Sequence, residues 1–161
     1  MKIIDRFLPE DYFKSIVDGV VWNYGFNWNL QNIVATDDEN ESDWYATHII
    51  YKDYVPQSEY WEGIGRLIHS LPDFRSLIRV KINFYPRTET MIEHAKHVDY
   101  PYEHKGALLS LNTCNGFTRL EDDSKIESVE NRLLIFDPSK PHNSSTTTDT
   151  NGRFNININY L

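Results

Sequence analysis

Residues 153–161, RFNININYL, alternate without a break: Phe154, Ile156, Ile158 and Tyr160 on one parity, Arg153, Asn155, Asn157 and Asn159 on the other. A period of two belongs to an extended strand, whose side chains point by turns to its two faces. The apolar row must find a core, and the polar row must meet water or a polar interior. IRVKINFY (78–85) repeats the pattern, with Val80, Ile82 and Phe84 opposite Lys81, Asn83 and Tyr85. ALLSLN (107–112) is apolar on both faces, and RLLIF (132–136) predicts a buried strand.

The first half carries helix signals. In LPEDYFKSIVDGVV, Pro9 suits a first turn, Glu10 and Asp11 favour its positive end, and Phe13, Ile16, Val17 and Val20 recur at helical spacing. A second helix is expected from near Ser58, with Trp61, Ile64, Ile68 and Leu71 forming one stripe before Pro72. Residues 36–43, TDDENESD, predict a charged loop. Helices first and short strands after predict a mainly β, α+β chain: an antiparallel sandwich or barrel with the N-terminal helices packed on its outside. One domain over 1–161 is expected, with 1–77 as helical support and 78–161 as the β core.

Composition narrows the function classes. With 24 Asp+Glu against 16 Lys+Arg, the net charge is −8. That disfavours a duplex nucleic-acid partner, which a basic face must grip. The single cysteine, Cys114, rules out an intrachain disulfide and fits a reducing compartment. No apolar run approaches a spanning helix or a signal core, so no membrane partner and a cytoplasmic setting are expected.

Three of six histidines fall in EHAKHVDYPYEHK (93–105). His94 and His97 would share a face only on a helix, which the flanking YPRTET and VDYPY do not suggest. In an extended chain His97 and Asp99 point to the same side and supply two ligands to one metal. His142, in the turn PSKPHNSS after a strand, is the only histidine beyond residue 104. Two His and one carboxylate leave about half of an octahedral site open, as non-haem Fe(II) requires to bind a cosubstrate and O2. Arg153 lies eleven residues past His142 on a polar strand face, and its planar fork suits a carboxylate. His48 and His69 read as ordinary satisfied or surface side chains.

Taken together, IIDRFLPEDYF, RVKINFYPRT, His97-Val98-Asp99, LLSLN followed by NGFT, RLLIFDPSKPH and Arg153 in RFNINI resemble the 2-oxoglutarate- and Fe(II)-dependent oxygenases. The likeness is to their small prolyl-hydroxylase-like members of bacterial and phage type. It implies a double-stranded β-helix (a cupin-like jelly roll), His97, Asp99 and His142 as iron ligands, and Arg153 on the far carboxylate of 2-oxoglutarate. It implies hydroxylation with O2 and release of succinate and CO2; with Asp99 present, halogenation is disfavoured. Asn83 and Tyr85 resemble the family's Asn-x-Tyr for the cosubstrate, Ser110 a cosubstrate hydroxyl, and Asn155 the serine of its Arg-x-Ser. Asn115-Gly116-Phe117-Thr118 departs from the family's Gly-Gly-x-Thr, at a loop by the substrate entrance. His94 and His104 are expected at the mouth, as lid or turn residues with a possible substrate role. By analogy the substrate is a protein side chain such as proline, or a small molecule. A non-enzymatic metal-binding jelly roll and a nucleic-acid demethylase are the rival readings.

Overall fold

A computed structural model describes residues 1–34 and 44–161; the charged loop expected at 36–43 lies outside the described residues. The strands among them are β1 Lys2–Ile4, β2 Asn29–Gln31, β3 Tyr45–Lys52, β4 Val55–Pro56, β5 Leu77–Pro86, β6 Lys105–Ser110, β7 Cys114–Arg119, β8 Lys125–Ser128, β9 Leu133–Phe136, β10 Asn143–Ser144 and β11 Gly152–Tyr160. They form two antiparallel sheets. The larger has eight strands in the order β1-β9-β6-β11-β5-β3-β2, with β4 on β3, and the smaller runs β10-β7-β8. This is a jelly roll. Among the described residues no helix is long and apolar enough to cross a membrane.

The two alternating runs are neighbours. In β11 and β5, Ile156 lies opposite Ile82 and Ile158 opposite Val80, while Arg153 faces Tyr85 and Asn155 faces Asn83. Antiparallel partners share a face, so along β5 and β11 one row is apolar and the other polar. The apolar surface, with Val80, Ile82, Leu109, Leu133, Ile156 and Ile158 all fully buried, packs under the helices. Phe84 belongs to that row but sits at its edge, half-buried, stacked on Phe154 at 4.8 Å between centroids.

Helix α1 (Glu10–Val20) buries Phe13, Ile16 and Val20 in this core, and Pro9 stands at its N-cap, where its carbonyl accepts the Phe13 amide. The second helix is shorter than its stripe predicts. Ser58 caps a turn instead of starting the helix: its hydroxyl accepts the Tyr60 amide at 3.1 Å. α2 spans only Trp61–Gly65 before tightening into a 3₁₀ turn, Arg66–Ser70. Gly63 and Gly65 weaken the α form and Pro72 ends it, yet Ile64, Ile68 and Leu71 are buried as expected.

The division at residue 77 does not follow the sheet. β1, β2, β3 and β4 all come from the first 77 residues, and β3 pairs with β5 along most of its length. Covered on both faces, β3 (YATHIIYK) carries no clean alternation to betray it. NGFT likewise belongs to a strand, β7, with a register shift between Cys114 and Phe117. Gly116 is needed there, since a Cβ would come within 2.8 Å of Arg153 Cδ and 2.7 Å of the Thr146 carbonyl.

Between the sheets, Leu108, Leu120, Ile126, Leu134 and Phe136 form a second apolar cluster. The remaining interior is polar.

Candidate metal centre

That polar interior opens as a cleft. His97, Asp99 and His142 line it, each offering a ligand atom within 4.8 Å of the others, so they could hold a metal ion. Two backbone bridges bring them together. His97 and His142 exchange both amide hydrogen bonds, at 2.9 and 3.0 Å, and Glu93 pairs with Ser145. The 93–99 segment is thus pinned by isolated bridges, not by a regular strand. His142 follows a turn in which Asp137 accepts the Ser139 amide and hydroxyl, and the Pro138 carbonyl accepts the Asp99 amide at 2.9 Å.

Protonation states suit a cation. Nδ1–H of His142 donates to the Lys140 carbonyl at 3.0 Å, leaving Nε2 for the cleft. Burial, reinforced by His142, lowers the His97 pKa to about 4, so its imidazole is neutral at neutral pH. Burial pushes the Asp99 carboxyl up, but the Arg79 guanidinium and the Asn159 amide outweigh it and hold Asp99 well below the usual carboxylate range. Arg79 Nη2 lies 3.1 Å from Asp99 Oδ1, and Asn159 Nδ2 donates to Oδ2 at 2.9 Å. Asn157 adds a longer contact of 3.4 Å.

Arg153 occupies the other end of the same inner face. It is 1 % exposed, donating from Nη1 to the Phe117 carbonyl at 2.7 Å and from Nη2 to Thr118 Oγ1 at 2.8 Å. Its Cζ lies 5.7 Å from the centre of the Tyr85 ring. Among the described residues no carboxylate pairs with it, and its Nε–H is buried without a partner. A guanidinium cannot shed its proton, so this end of the cleft is a buried, uncompensated positive charge.

The other expected positions divide. Asn83, Tyr85 and Asn155 line the cleft, Asn83 donates to Asn155 Oδ1 at 2.9 Å, and burial raises the Tyr85 pKa, keeping its phenol neutral. Ser110 is buried and paired with Asn155 across β6 and β11, but it is not a lining residue. His94 and His104 are not at the mouth. His94 is 3 % exposed, bonded through Nδ1 to Ser144 Oγ at 2.8 Å, with its ring 5.3 Å from that of Tyr85. It packs behind Tyr85. His104 Nδ1–H donates to the Tyr102 carbonyl at 2.7 Å, while its Nε2 accepts from Asn159 at 3.2 Å. It therefore braces the amide that holds Asp99. His48 is satisfied by the Asn27 carbonyl at 2.6 Å and Ser58 Oγ at 2.7 Å, and His69 is exposed.

Sequence reading passed over Arg79, Lys81, Thr118, Asn157 and Asn159. Four of them carry a legible signal: Arg79 and Lys81 share parity with Asn83, and Asn157 and Asn159 share parity with Arg153.

No family model matches the chain, and no curated protein does. Solved structures do match in fold. A prolyl-4-hydroxylase of Pseudomonas putida is 15% identical, with a TM-score of 0.70, over 99% of this chain and 91% of that one. A Trichoplax adhaerens prolyl hydroxylase in complex with a hypoxia-inducible-factor peptide is 16% identical, also with a TM-score of 0.70, over 99% and 82%. The epimerase SnoN of nogalamycin biosynthesis, with Fe3+, α-ketoglutarate and nogalamycin RO, is 9% identical with a TM-score of 0.68, over 99% and 77%. The chain has the fold of the 2-oxoglutarate/Fe(II) oxygenases in its prolyl-hydroxylase-like form.

Proposed function

We propose that this protein is an Fe(II)- and 2-oxoglutarate-dependent dioxygenase that hydroxylates a protein side chain or a small molecule. The observation that carries the reading is a pair: a two-His, one-carboxylate cluster and, in the same cleft, a buried guanidinium lacking an anion among the described residues. A metal-only module has no need of the second, and burying an unpaired charge costs several kcal/mol unless a ligand compensates it.

His97, Asp99 and His142 would hold the metal, which when bound supplies oxidising chemistry with O2 and 2-oxoglutarate and releases succinate and CO2. Each remaining task falls to this chain. Arg79 and Asn159 keep Asp99 ionised and aimed, and the Lys140 carbonyl fixes the His142 tautomer. Arg153, seated by the Phe117 carbonyl and Thr118, neutralises the distal carboxylate of the cosubstrate. The Tyr85 phenol, held neutral by burial, is a hydrogen-bond donor to that carboxylate, and the Asn83–Asn155 pair floors the cleft between the two charged ends. With Asp99 occupying a metal position, hydroxylation is favoured over halogenation. The substrate classes follow the neighbours, one of which was solved with a peptide and another with a small molecule. The net charge of −8 weighs against nucleic-acid demethylation.

The test is anaerobic titration of the chain with Fe(II) and then 2-oxoglutarate, watching for a visible charge-transfer band. The band is expected in the wild type and absent in His142→Ala. Metal binding with no 2-oxoglutarate-dependent band would return the protein to the metal-module reading.

A further inference from the structure

The cleft holds a third cation that neither the metal nor the cosubstrate requires. Lys81 lies on the inner face of β5, opposite Asn157, and lines the cleft beside His97 and Asp99. Its ammonium makes no ion pair with any carboxylate of the described residues. Asp99 is already engaged by Arg79 at 3.1 Å and by Asn159 at 2.9 Å. Arg153 is not its duplicate: Tyr85, which faces Arg153, is four residues along β5 from Lys81, roughly 13 Å at strand spacing.

Charge balance extends the point. A doubly negative cosubstrate offsets a divalent metal, and Arg79 offsets Asp99, so Arg153 and Lys81 leave the loaded cleft cationic in a chain of net charge −8. The Lys81 ammonium stands 5.6 Å from the ring of Tyr45, which also lines the cleft. Burial and the neighbouring Tyr85 raise the Tyr45 pKa to about 12, so a neutral phenol, able to donate a hydrogen bond, accompanies the cation. Burial, with Arg79 nearby, lowers the Lys81 pKa to about 8, which still leaves the ammonium largely protonated at neutral pH.

We propose that Lys81 is a specificity-determining residue that binds an anionic group, a carboxylate or a phosphate, on the molecule to be oxidised. The assignment rests on the oxygenase reading of the same site. The oxidised molecule therefore belongs to the class of acidic metabolites or acidic side chains, with its anion on Lys81 and its reacting carbon at the metal.

The experiment uses the full chain loaded with Zn(II), titrated first with 2-oxoglutarate and, once saturated, with acetate and separately with inorganic sulfate, followed by amide NMR shifts. Saturable binding of one of these anions is expected in the wild type. It should weaken at least about tenfold in Lys81→Met, survive in Lys81→Arg, and be untouched in Lys14→Met, an exposed control on α1. 2-Oxoglutarate affinity should be the same in all four chains. Equal anion binding in wild type and Lys81→Met overturns the proposal, as does a wild type that binds neither anion. A Lys81→Met chain that loses 2-oxoglutarate affinity but keeps the anion also overturns it, because the ammonium then serves the cosubstrate. Failure of the wild type to bind 2-oxoglutarate at the first step removes the oxygenase reading and this assignment with it.

Discussion

Arg153→Met separates folding from ligand binding at one residue. In the wild type the guanidinium is 1 % exposed and donates to the Phe117 carbonyl and Thr118 Oγ1, but meets no carboxylate among the described residues. Removing it forfeits two charge-assisted bonds, about 1.5–3 kcal/mol each. It also relieves the burial of an unpaired cation, a penalty of several kcal/mol. The Phe117 carbonyl is not orphaned, because it still accepts the Ser145 amide at 3.1 Å. These terms oppose, so the melting temperature without ligand should shift by only a few degrees. Ligand response should change far more. A cosubstrate at a hundred times its Kd adds about 2.7 kcal/mol of stability, or about 5–11 °C for a domain of this size. Truncating one partner of a buried charge pair costs about 2–5 kcal/mol, which raises Kd by about thirtyfold to several thousandfold. The extra melting shift from 2-oxoglutarate over Mn(II) should therefore fall to about a third of the wild-type value or less in Arg153→Met, while the shift from Mn(II) alone persists. Scanning calorimetry with each addition, backed by direct titration, reads both quantities. A variant that keeps the wild-type response to 2-oxoglutarate would falsify the assignment of Arg153 to the cosubstrate.

Three further outcomes follow from the same geometry. Asn159→Leu removes the amide that joins Asp99 to His104; metal affinity should fall about 10–100-fold with little change in far-UV dichroism, and unaltered affinity would make the pair irrelevant to the metal. Burial lowers the His94 pKa to about 4, so its contribution to stability is present above the unfolded value of about 6.5 and is lost as pH falls toward 4; His94→Leu should flatten the fall in urea midpoint between pH 7 and 5, and an unchanged slope refutes it. Ile82→Ala, in the fully buried row, should cost about 2–5 kcal/mol, and Phe84→Ala at the half-buried edge distinctly less, whereas Tyr85→Phe should weaken 2-oxoglutarate binding with little loss of stability; denaturation midpoints and cosubstrate titrations on the three variants check the order, and the reverse order would turn β5 inside out.

Alternation in 78–85 and 153–160 determined by itself which side of each strand is apolar, because the pleat leaves no other way to bury Val80, Ile82, Ile156 and Ile158 together. His97-x-Asp99, His142 and Arg153 were legible as candidates for a similar reason, since their residue types and order suit a metal and an anion, and the fold brings all four to one cleft. β3 and β7 were not legible. Their burial comes from partners far along the chain, and a strand covered on both faces, or one that swallows an Asn-Gly pair to make room for Arg153, does not alternate. Tertiary structure also decided the histidines. His94 and His104 stand in the same thirteen residues as His97, yet one packs behind Tyr85 and the other braces Asn159. Local sequence sets only the parity of a side chain, whereas the element that folds over it decides whether that side chain meets a metal, a neighbour or water. Lys81 follows the same rule: parity put it in the row of Asn83 and Tyr85, and only the tertiary structure set its ammonium beside the Tyr45 ring at the cleft.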